Sequence, residues 1–462
     1  MTAWLAGTQD SDGVLTALIS TQKLTWYFWG QDRLLNLLPA LAAPFRDPEL
    51  NLRVQVFLRF ALAFLSPLGV VCVFRGSWRF AVLLVATTQC LLAFALSQYG
   101  AFNMWAQHNP YGTSFVLFAL ALWVCVNGKA SWRWGAAFFV LFLAYAVNLA
   151  LVVWAVPFLA VAMVFGVRDR RLLGAVLLLN LVSILAAWLH SQWFGEPVTK
   201  FALHPSWEAV QAGYQSFFNE VDVRLLCALF VAAVVVAAIR RSRETMMAIL
   251  VAIGMFVAIG ALSCLQWLQD GVYSIRYFLT FLTVFVSCCV YILLREFPLA
   301  FGSLRRQAIA AAALFFAMFS FAFHGLSQTP WALVGEPWRE SSEAAAHVAV
   351  DAHAALIVGD FWHVWPAVME ARSQLRRTGQ ARERMYGMTF RAHALREKID
   401  RLFADRPHGV LSLCLQASVD DCVKTTNSFG QLARPVVADA SSIRPVTIAG
   451  TTAYLVVLRP TG

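Results

Sequence analysis

Three carboxylates near the amino terminus have the chemistry to accept a proton. Asp10 and Asp12 stand in the turn DSDG, ahead of a stretch whose apolar residues recur at helical spacing, and Asp32 stands in WGQDR behind it. A positioned carboxylate can take the proton of a hydroxyl group as that hydroxyl attacks. The alternative for Asp10 and Asp12 is structural, because an Asp at a helix start accepts hydrogen bonds from backbone N–H groups. Asp32 can orient a substrate or form a plain ion pair with Arg33.

The composition of the chain around these carboxylates indicates a membrane protein. Its 462 residues are 60% hydrophobic and 13% charged, whereas soluble domains carry about 25% charged residues. All 26 Asp and Glu residues fall outside the long apolar runs, and Arg59 is the only basic residue well inside one. A charge at the bilayer centre costs about 3 kcal/mol, so this exclusion is expected of membrane helices. The net charge of +10 does not indicate nucleic-acid binding, because the positive residues sort by membrane side.

The apolar runs predict a polytopic α-helical protein with about ten transmembrane helices. The run 134–166 is too long for one crossing at 1.5 Å per residue, so we divide it near Asn148 into two short crossings. A re-entrant pair of helices is the alternative for this run. The other predicted spans are 56–74, 80–97, 112–127, 172–192, 223–239, 246–266, 277–294 and 307–325.

The charges of the loops predict on which side of the membrane each loop lies. With the division near Asn148, five short loops fall on one side and hold 13 Lys or Arg, whereas three loops on the other side hold only Lys200 and Arg276. By the positive-inside rule the first set is cytoplasmic. The 13 cytoplasmic residues are Arg75, Arg79, Lys129, Arg133, Arg168, Arg170, Arg171, Arg240, Arg241, Arg243, Arg295, Arg305 and Arg306.

Residues 1–55 should therefore lie outside the cytoplasm as a first loop. The segment is too polar to span the membrane, and GVLTALISTQKLTWYFWG suits an amphipathic helix lying in the membrane interface. Its aromatic residues 26–29 are of the kind that settle at headgroup level. No span precedes this loop, which favours a native chain that begins upstream with a further transmembrane helix. Unaided translocation of a short tail is the alternative.

Residues 326–462 have an ordinary soluble composition and predict a small α/β domain outside the cytoplasm. Strand-like runs at 354–360, 409–416 and 447–460 alternate with a helical, Arg-rich stretch at 366–404. A domain of this size can bury its own core. Cys414 and Cys422 lie eight residues apart here; they can form a disulfide in an oxidising compartment or stay reduced. The predicted organisation is thus 1–55, 56–325 and 326–462.

The first loop resembles that of the GT-C glycosyltransferases. The shared features are an Asp-containing turn, a surface helix, WGQDR, and a Leu/Pro-rich entry to the next span. Weaker similarities lie at QHNPYG and SIRYF. The plan of many spans, short cytoplasmic loops and a carboxyl-terminal external domain is also similar. This resemblance implies transfer of a sugar from a polyprenyl-phosphate-linked donor. The chain departs from the family in lacking a helix before the Asp loop.

The resemblance also implies roles for particular residues. The family uses a carboxylate of the first external loop as general base, which corresponds here to Asp12, with Asp10 as its close competitor. The departing lipid phosphate needs a cation near the outer surface. Arg276, at the mouth of a span, is the first choice, because a guanidinium can bind two phosphate oxygens; snorkelling to lipid headgroups is the alternative. The further candidates for phosphate binding are Arg59, Lys200 and Arg224.

Four other residues are candidates for contact with a sugar or acceptor. His108 and His204 lie in external loops, although a His of a loop is often only a capping or solvated residue. Asp360 and Trp362 follow the first predicted strand of the external domain, where indole rings can stack on sugars or merely pack. A divalent metal, Mg or Mn, is possible because some members of the family need one, and clustered carboxylates can hold it.

The leading prediction is a glycosyltransferase of the bacterial inner membrane that acts on an external glycan or lipid acceptor. The alternative is a transporter or flippase of lipid-linked glycans. Transporters usually place ionisable residues near mid-membrane in matching halves, whereas the spans predicted here are free of acids and show no matching halves. A scaffold subunit without chemistry is a third possibility.

Overall fold

The computed structural model describes residues 9–32, 34–74, 78–105, 110–128, 130–161, 170–196, 202–296, 312, 331–380, 385–389, 393–428 and 432–461. Helices dominate the part before residue 300. The amino-terminal helices are α1 Ser11–Gln22, α2 Leu37–Ala42, α3 Pro48–Leu65, α4 Leu68–Phe74, α5 Trp78–Ala95, α6 Gln98–Trp105 and α7 Pro110–Asn127. The helices that follow are α8 Arg133–Val147, α9 Leu151–Val161, α10 Arg170–Phe194, α11 Trp207–Asn219, α12 Val223–Arg240, α13 Arg243–Ser263, α14 Gln266–Asp270 and α15 Leu279–Glu296.

Four of the described helices are long and apolar enough to cross a membrane. They match predicted spans and cover Pro110–Asn127, Arg171–Phe194, Val223–Arg240 and Arg243–Ser263. Three shorter apolar helices, Phe80–Ala95, Arg133–Val147 and Leu279–Arg295, match three further predictions. On α10, Leu178, Leu181 and Leu185 are exposed, which suits a helix face against lipid. The predicted span 307–325 lies outside the described residues apart from residue 312.

The predicted division near Asn148 is confirmed as a helix break. Helix α8 ends at Val147, Asn148 takes an extended backbone conformation, and α9 begins at Leu151. The Asn148 side chain accepts a hydrogen bond from the N–H of Ala150 at 3.1 Å, which satisfies a donor that a continuous helix would have used internally. The run 134–166 is therefore not one straight helix.

The predicted span 56–74 also breaks, and this break was not predicted. Helix α3 begins at Pro48 and ends at Leu65, and α4 begins after Pro67. Proline has no N–H to continue the helix, which leaves carbonyl groups of the preceding turn without their usual donors. The side chain of Gln89 supplies them, donating to Ala63 O at 3.0 Å and Phe64 O at 2.8 Å. Buried carbonyls need such partners in an apolar surrounding.

The carboxyl-terminal region forms a mixed six-stranded sheet with flanking helices. Its helices are α16 Trp331–Asp351, α17 Phe361–Arg377, α18 Arg396–Ala404 and α19 Val419–Ser428. Its strands are β1 Leu356–Val358, β2 Tyr386–Met388, β3 Val410–Cys414, β4 Val436–Ala438, β5 Arg444–Ile448 and β6 Thr451–Pro460. Strand β1 pairs in parallel with β2 and β3, and β6 pairs antiparallel with β3, β4 and β5. The three predicted strand-like runs are confirmed.

The first helix of residues 1–55 packs against the carboxyl-terminal domain. The predicted interfacial helix is α1, and all ten of its residues from Ser11 to Ser20 are buried. Its apolar side chains, among them Leu15, Leu18 and Ile19, share one hydrophobic core with α17 and the sheet. Helix α1 is thus buried because it is packed between α3 and α17. Of the aromatic residues 26–29, only Trp26 is exposed.

Candidate functional site

The side chains of α3 lock α1 in place through a row of polar groups. Asn51, Gln55 and Arg59 are spaced four residues apart and so lie on one face of α3. Asn51 donates to Ser20 Oγ at 2.8 Å, and Gln55 donates to the carbonyl of Thr16 at 3.1 Å. Each contact satisfies a buried polar group of α1, so the row fixes the helix in one position. The sequence interpretation missed this row, although its spacing of four residues at the entry to the predicted span 56–74 was a readable signal.

Arg59, a candidate for phosphate binding, is buried at the end of this row. Its Nη1 donates to Gln9 Oε1 at 2.9 Å, and its Nη2 donates to Thr16 Oγ1. The negative charges of Asp10 and Asp12 act on it as well. Arg59 is 4% exposed, and a buried guanidinium needs compensation of this kind. Its Nε has no hydrogen-bond partner among the described residues, so one N–H donor of the guanidinium is unused.

Asp10 and Asp12 take different places at the start of α1. The Asp10 side chain accepts from the N–H of Gly13 at 2.9 Å, so Asp10 caps the helix. Asp12 lies in the first helical turn, is 8% exposed, and accepts from Arg276 Nη1 at 3.0 Å through Oδ2. The capping alternative thus describes Asp10, whereas Asp12 faces a cation. The two candidates that the sequence ranked first, Asp12 and Arg276, are brought together from positions 264 residues apart.

Arg276 lies in a short 3₁₀ turn, Ile275–Tyr277, directly before α15. Its Nη2 donates to the Tyr277 hydroxyl at 3.0 Å, and the Tyr277 ring stacks edge-on against Tyr111, with centroids 5.5 Å apart. Burial tends to lower the pKa of Arg276, but Tyr277, Asp12 and Tyr111 raise it above its ordinary value, so the guanidinium is always charged. Its Nε is buried and has no hydrogen-bond partner among the described residues. Tyr111 and Tyr277 were not predicted.

A small polar cleft extends from Arg59 into the helix bundle. Its lining includes the hydroxyl-bearing residues Ser66, Thr113, Thr280 and Thr283. The open space is about 10 Å³, roughly enough for the centre of one water molecule. Thr280 Oγ1 is buried here and has no hydrogen-bond partner within the described part of the chain. Arg59 thus borders a cleft that contains one further unused hydroxyl group, that of Thr280.

Of the other candidate residues in the first 300, three are described, and they lie at different places. Asp32 packs against Gly195, next to Tyr27, whose hydroxyl contacts His190 Nδ1 at 2.7 Å. Arg224 is exposed on the first turn of α12, and His204 is exposed in the loop before α11. Lys200 and His108 lie outside the described residues, as does the Arg33 side chain. The structure therefore joins Asp12, Asp10, Arg59 and Arg276, and describes Asp32, Arg224 and His204 with other neighbours.

Asp360 and Trp362 lie at the amino end of α17, which contacts the acidic turn, residues 10–13. The Ser11 hydroxyl donates to the carbonyl of Trp362 at 2.8 Å, directly beside Asp12 in sequence. Asp360 caps α17 through the N–H groups of Trp362 and His363, and its Oδ2 contacts His363 Nδ1 at 2.5 Å. The Trp362 side chain is 46% exposed. Trp362 is thus in contact with the start of α1, although it belongs to the other end of the chain.

The acidic turn does not assemble a metal-ligand set among the described residues. No group of three or more His, Cys, Asp or Glu side chains there is arranged to hold an ion. The guanidinium of Arg276 occupies the cationic position beside Asp12, and Asp10 is used as a cap. These residues do not fit a divalent ion, so the chemistry below is derived from the side chains of the chain.

Cys414 and Cys422 form a disulfide with their Cα atoms 6.0 Å apart. The bridge joins the end of β3 to α19 and closes the loop 415–418. Disulfides persist in oxidising compartments. The alternative of a reduced pair is thus set aside by the geometry.

Comparison of the chain with protein-family models, with curated proteins and with solved structures finds no match.

Proposed function

We propose that the chain is a glycosyltransferase that moves a sugar from a polyprenyl-phosphate-linked donor to an external glycan or lipid acceptor. The observation that carries the proposal is the contact between Asp12 and Arg276 at 3.0 Å. It joins a carboxylate able to take a proton and a guanidinium able to bind phosphate, at the mouth of an apolar helix. Transfer from a lipid phosphate requires both groups within reach of one donor.

The proposed reaction begins when the donor phosphate binds Arg276. The phosphate competes with Asp12 for the guanidinium, and the unused Nε of Arg276 offers it a further donor. Asp12, released from its partner, accepts the proton of the acceptor hydroxyl. The oxygen of that hydroxyl forms a bond to the anomeric carbon while the bond from that carbon to the phosphate oxygen breaks. The electron pair leaves with polyprenyl phosphate, whose charge is stabilised by Arg276 and, from behind, by Arg59.

The proposed setting is the bacterial inner membrane, with about ten spans and the carboxyl-terminal domain outside. The sorting of Lys and Arg among the loops supports this orientation. The Cys414–Cys422 disulfide is in keeping with an oxidising compartment for that domain. A donor carried by a membrane lipid would then reach Asp12 from the outer leaflet.

Replacement of Asp12 by Asn tests the proposal. Asn retains the shape and one acceptor but cannot take a proton, so product should fall roughly 10²–10⁴-fold, the usual share of a general base. The measurement is mass spectrometry of surface glycans and lipid-linked intermediates from cells that carry each variant at equal protein level. Asp420→Asn, at an exposed position on the first turn of α19, is the matched control.

Loss of a single sugar increment in Asp12→Asn cells, with accumulation of its lipid-linked donor, is the expected result. An unchanged glycan profile in Asp12→Asn cells, equal to that of the Asp420→Asn control, would exclude Asp12 as the base. A flippase would instead leave the lipid-linked intermediate on the inner face of the membrane.

A further inference from the structure

A cleft of about 540 Å³ lies at one edge of the carboxyl-terminal sheet. It opens at the carboxyl ends of the parallel strands β1 and β3, where Asp360 and His363 follow one strand and Gln416 follows the other. This edge is where open α/β sheets usually bind ligands. The volume falls within the range of about 300–1,000 Å³ for pockets that bind small organic molecules. The cleft therefore has the position and size of a binding site.

The floor of the cleft carries an oriented carboxylate and imidazole. Asp360 is fixed by the N–H of Trp362 at 2.8 Å and by the His363 ring at 2.5 Å. This contact holds the ring through Nδ1 and turns its Nε2 edge away from Asp360. The Asp360 and His363 side chains are 46% and 56% exposed, so both can still meet a ligand.

The wall of the cleft opposite α16 is held rigid by covalent and hydrogen bonds. The Cys414–Cys422 disulfide closes the loop that contains Gln416. The Gln416 amide donates to Thr425 Oγ1 at 2.9 Å and can accept from it at 3.2 Å, and the Tyr454 hydroxyl donates to Ala417 O at 3.4 Å. A wall that needs no ordering on binding favours affinity.

The lining indicates a neutral ligand rich in hydroxyl groups. Carboxylates at Asp360 and Glu340 accept hydrogen bonds from hydroxyls, and the amide of Gln416 both donates and accepts. Ser342 and Thr452 add hydroxyl groups of their own. Two carboxylates against one imidazole oppose an anion such as a phosphate. A short oligosaccharide has this chemistry and fits this volume.

One end of the cleft is formed by the start of α17, and this helix start is hydrogen-bonded to the start of α1. Trp362 stands between Asp360 and His363 in sequence, and its carbonyl accepts the hydrogen bond from Ser11, the residue before Asp12. A ligand bound in the cleft thus contacts the start of α17, which is joined by this hydrogen bond to the helix that carries the proposed base.

We propose that this cleft binds the acceptor glycan as a neutral, polyhydroxylated chain, and presents it to Asp12. That the bound glycan is the acceptor rests on the proposed function. Binding of an oligosaccharide in the cleft does not depend on it. Asp360 and Gln416 are the residues that contact sugar hydroxyls.

The test uses the full-length protein in detergent micelles and saturation-transfer NMR. The probes are maltotriose, chitotriose and methyl arabinofuranoside, with glucose 1-phosphate as the anionic comparison. The unchanged protein should bind at least one neutral probe more tightly than glucose 1-phosphate. Asp360→Asn and Gln416→Ala should each weaken that binding about tenfold, the effect of one lost hydrogen bond to a charged or well-oriented group. Asn at position 360 still caps α17, so the fold is kept.

Asp405→Asn, at an exposed position after α18, is the control and should bind as the unchanged protein does. Asp12→Asn should lose transfer but keep probe binding, so the failure of the proposed function can be distinguished from the failure of the cleft. The inference is overturned if no neutral probe binds, if glucose 1-phosphate binds more tightly, or if Asp360→Asn and Gln416→Ala both bind like the control.

Discussion

The pairs Asp12–Arg276 and Asp360–His363 involve the starts of two helices, α1 and α17, that are joined by the hydrogen bond between Ser11 and Trp362, and the two pairs differ in burial and partner. Asp12 and Arg276 have side chains that are 11% and 27% exposed, and the pKa of Arg276 is raised above its ordinary value. Asp360 and His363 are about half exposed, and His363 changes charge near neutral pH. A buried pair with a permanent cation depends on mutual compensation, whereas an exposed pair with an imidazole can respond to pH. The first therefore suits binding of phosphate and the second suits adaptable contact with hydroxyl groups.

The largest expected effect comes from breaking the buried pair. Asp12→Asn or Arg276→Gln alone should each lower the free energy of unfolding by about 3 kcal/mol, because one charge is left without its partner; the value is at the low end for buried pairs because Arg276 is a quarter exposed. The double variant should lose less than the sum, with a coupling of about 1–3 kcal/mol. The measurement is unfolding in mixed detergent and SDS micelles. Strictly additive losses would contradict the pairing.

An intermediate loss of stability is expected when Asp10 is replaced. Its size distinguishes the capping role of Asp10 from the proposed role of Asp12. Asp10→Ala removes the acceptor for the N–H of Gly13 and should cost about 1 kcal/mol of stability, the usual effect of losing an N-cap. Asp10→Asn should cost only a few tenths of this, because Asn also caps, and should keep transfer activity. The stability and the transfer activity of both Asp10 variants are measured by the same methods as for Asp12→Asn. Loss of activity in Asp10→Asn at unchanged stability would make Asp10 the base instead.

The smallest effect on stability is expected at the exposed pair. The hydrogen bond that the His363 ring donates to Asp360 raises the pKa of His363 above its ordinary value. Although burial opposes it, the same contact holds the pKa of Asp360 below its usual range. The contribution of His363 is present below its unfolded pKa and is lost as pH rises through the folded pKa. That of Asp360 is present above its unfolded pKa and is lost as pH falls through the folded one. The pair thus stabilises the fold between roughly pH 4 and 6.5, by about 0.2–1 kcal/mol because both groups are solvated.

The measurement is the pH titration of the His363 ring by NMR in the unchanged protein and in Asp360→Asn. The pKa of His363 should fall toward its ordinary value when Asp360 is replaced. A pKa that is the same in both proteins would show that the pair does not form in solution.

The sequence predicts the elements of this molecule better than it predicts their contacts. Apolar length alone locates the candidate membrane helices, and the break at Asn148 follows from a run too long for one crossing. The break at Pro67 was missed because Pro within an apolar run is tolerated in membranes when a neighbour such as Gln89 supplies the missing donors. Strand β2, only three residues long, carries too little pattern to be read from an Arg-rich stretch.

Individual residues of the candidate site were predicted from the sequence, but the contacts between them were not. Asp12 and Arg276 were singled out separately, by a resemblance and by their places relative to predicted spans, and no local pattern connects residues 264 apart. Helix α1 was read as interfacial because its polar and apolar residues suit a surface; the structure buries both kinds, since α3 supplies hydrogen bonds to Thr16 and Ser20. Such compensation depends on tertiary contacts, which hydrophobic periodicity does not encode.

The shared core of α1 and the carboxyl-terminal domain has a consequence for biosynthesis. Trp29 stacks against Trp365 and Ser11 bonds to Trp362, so one half of this core leaves the ribosome more than 300 residues before the other. At about 5–20 residues per second, the first helix waits on the order of 15–70 s for its partner. During that interval its apolar side chains must contact lipid or a chaperone, and the shared core is complete only when the last strand is made.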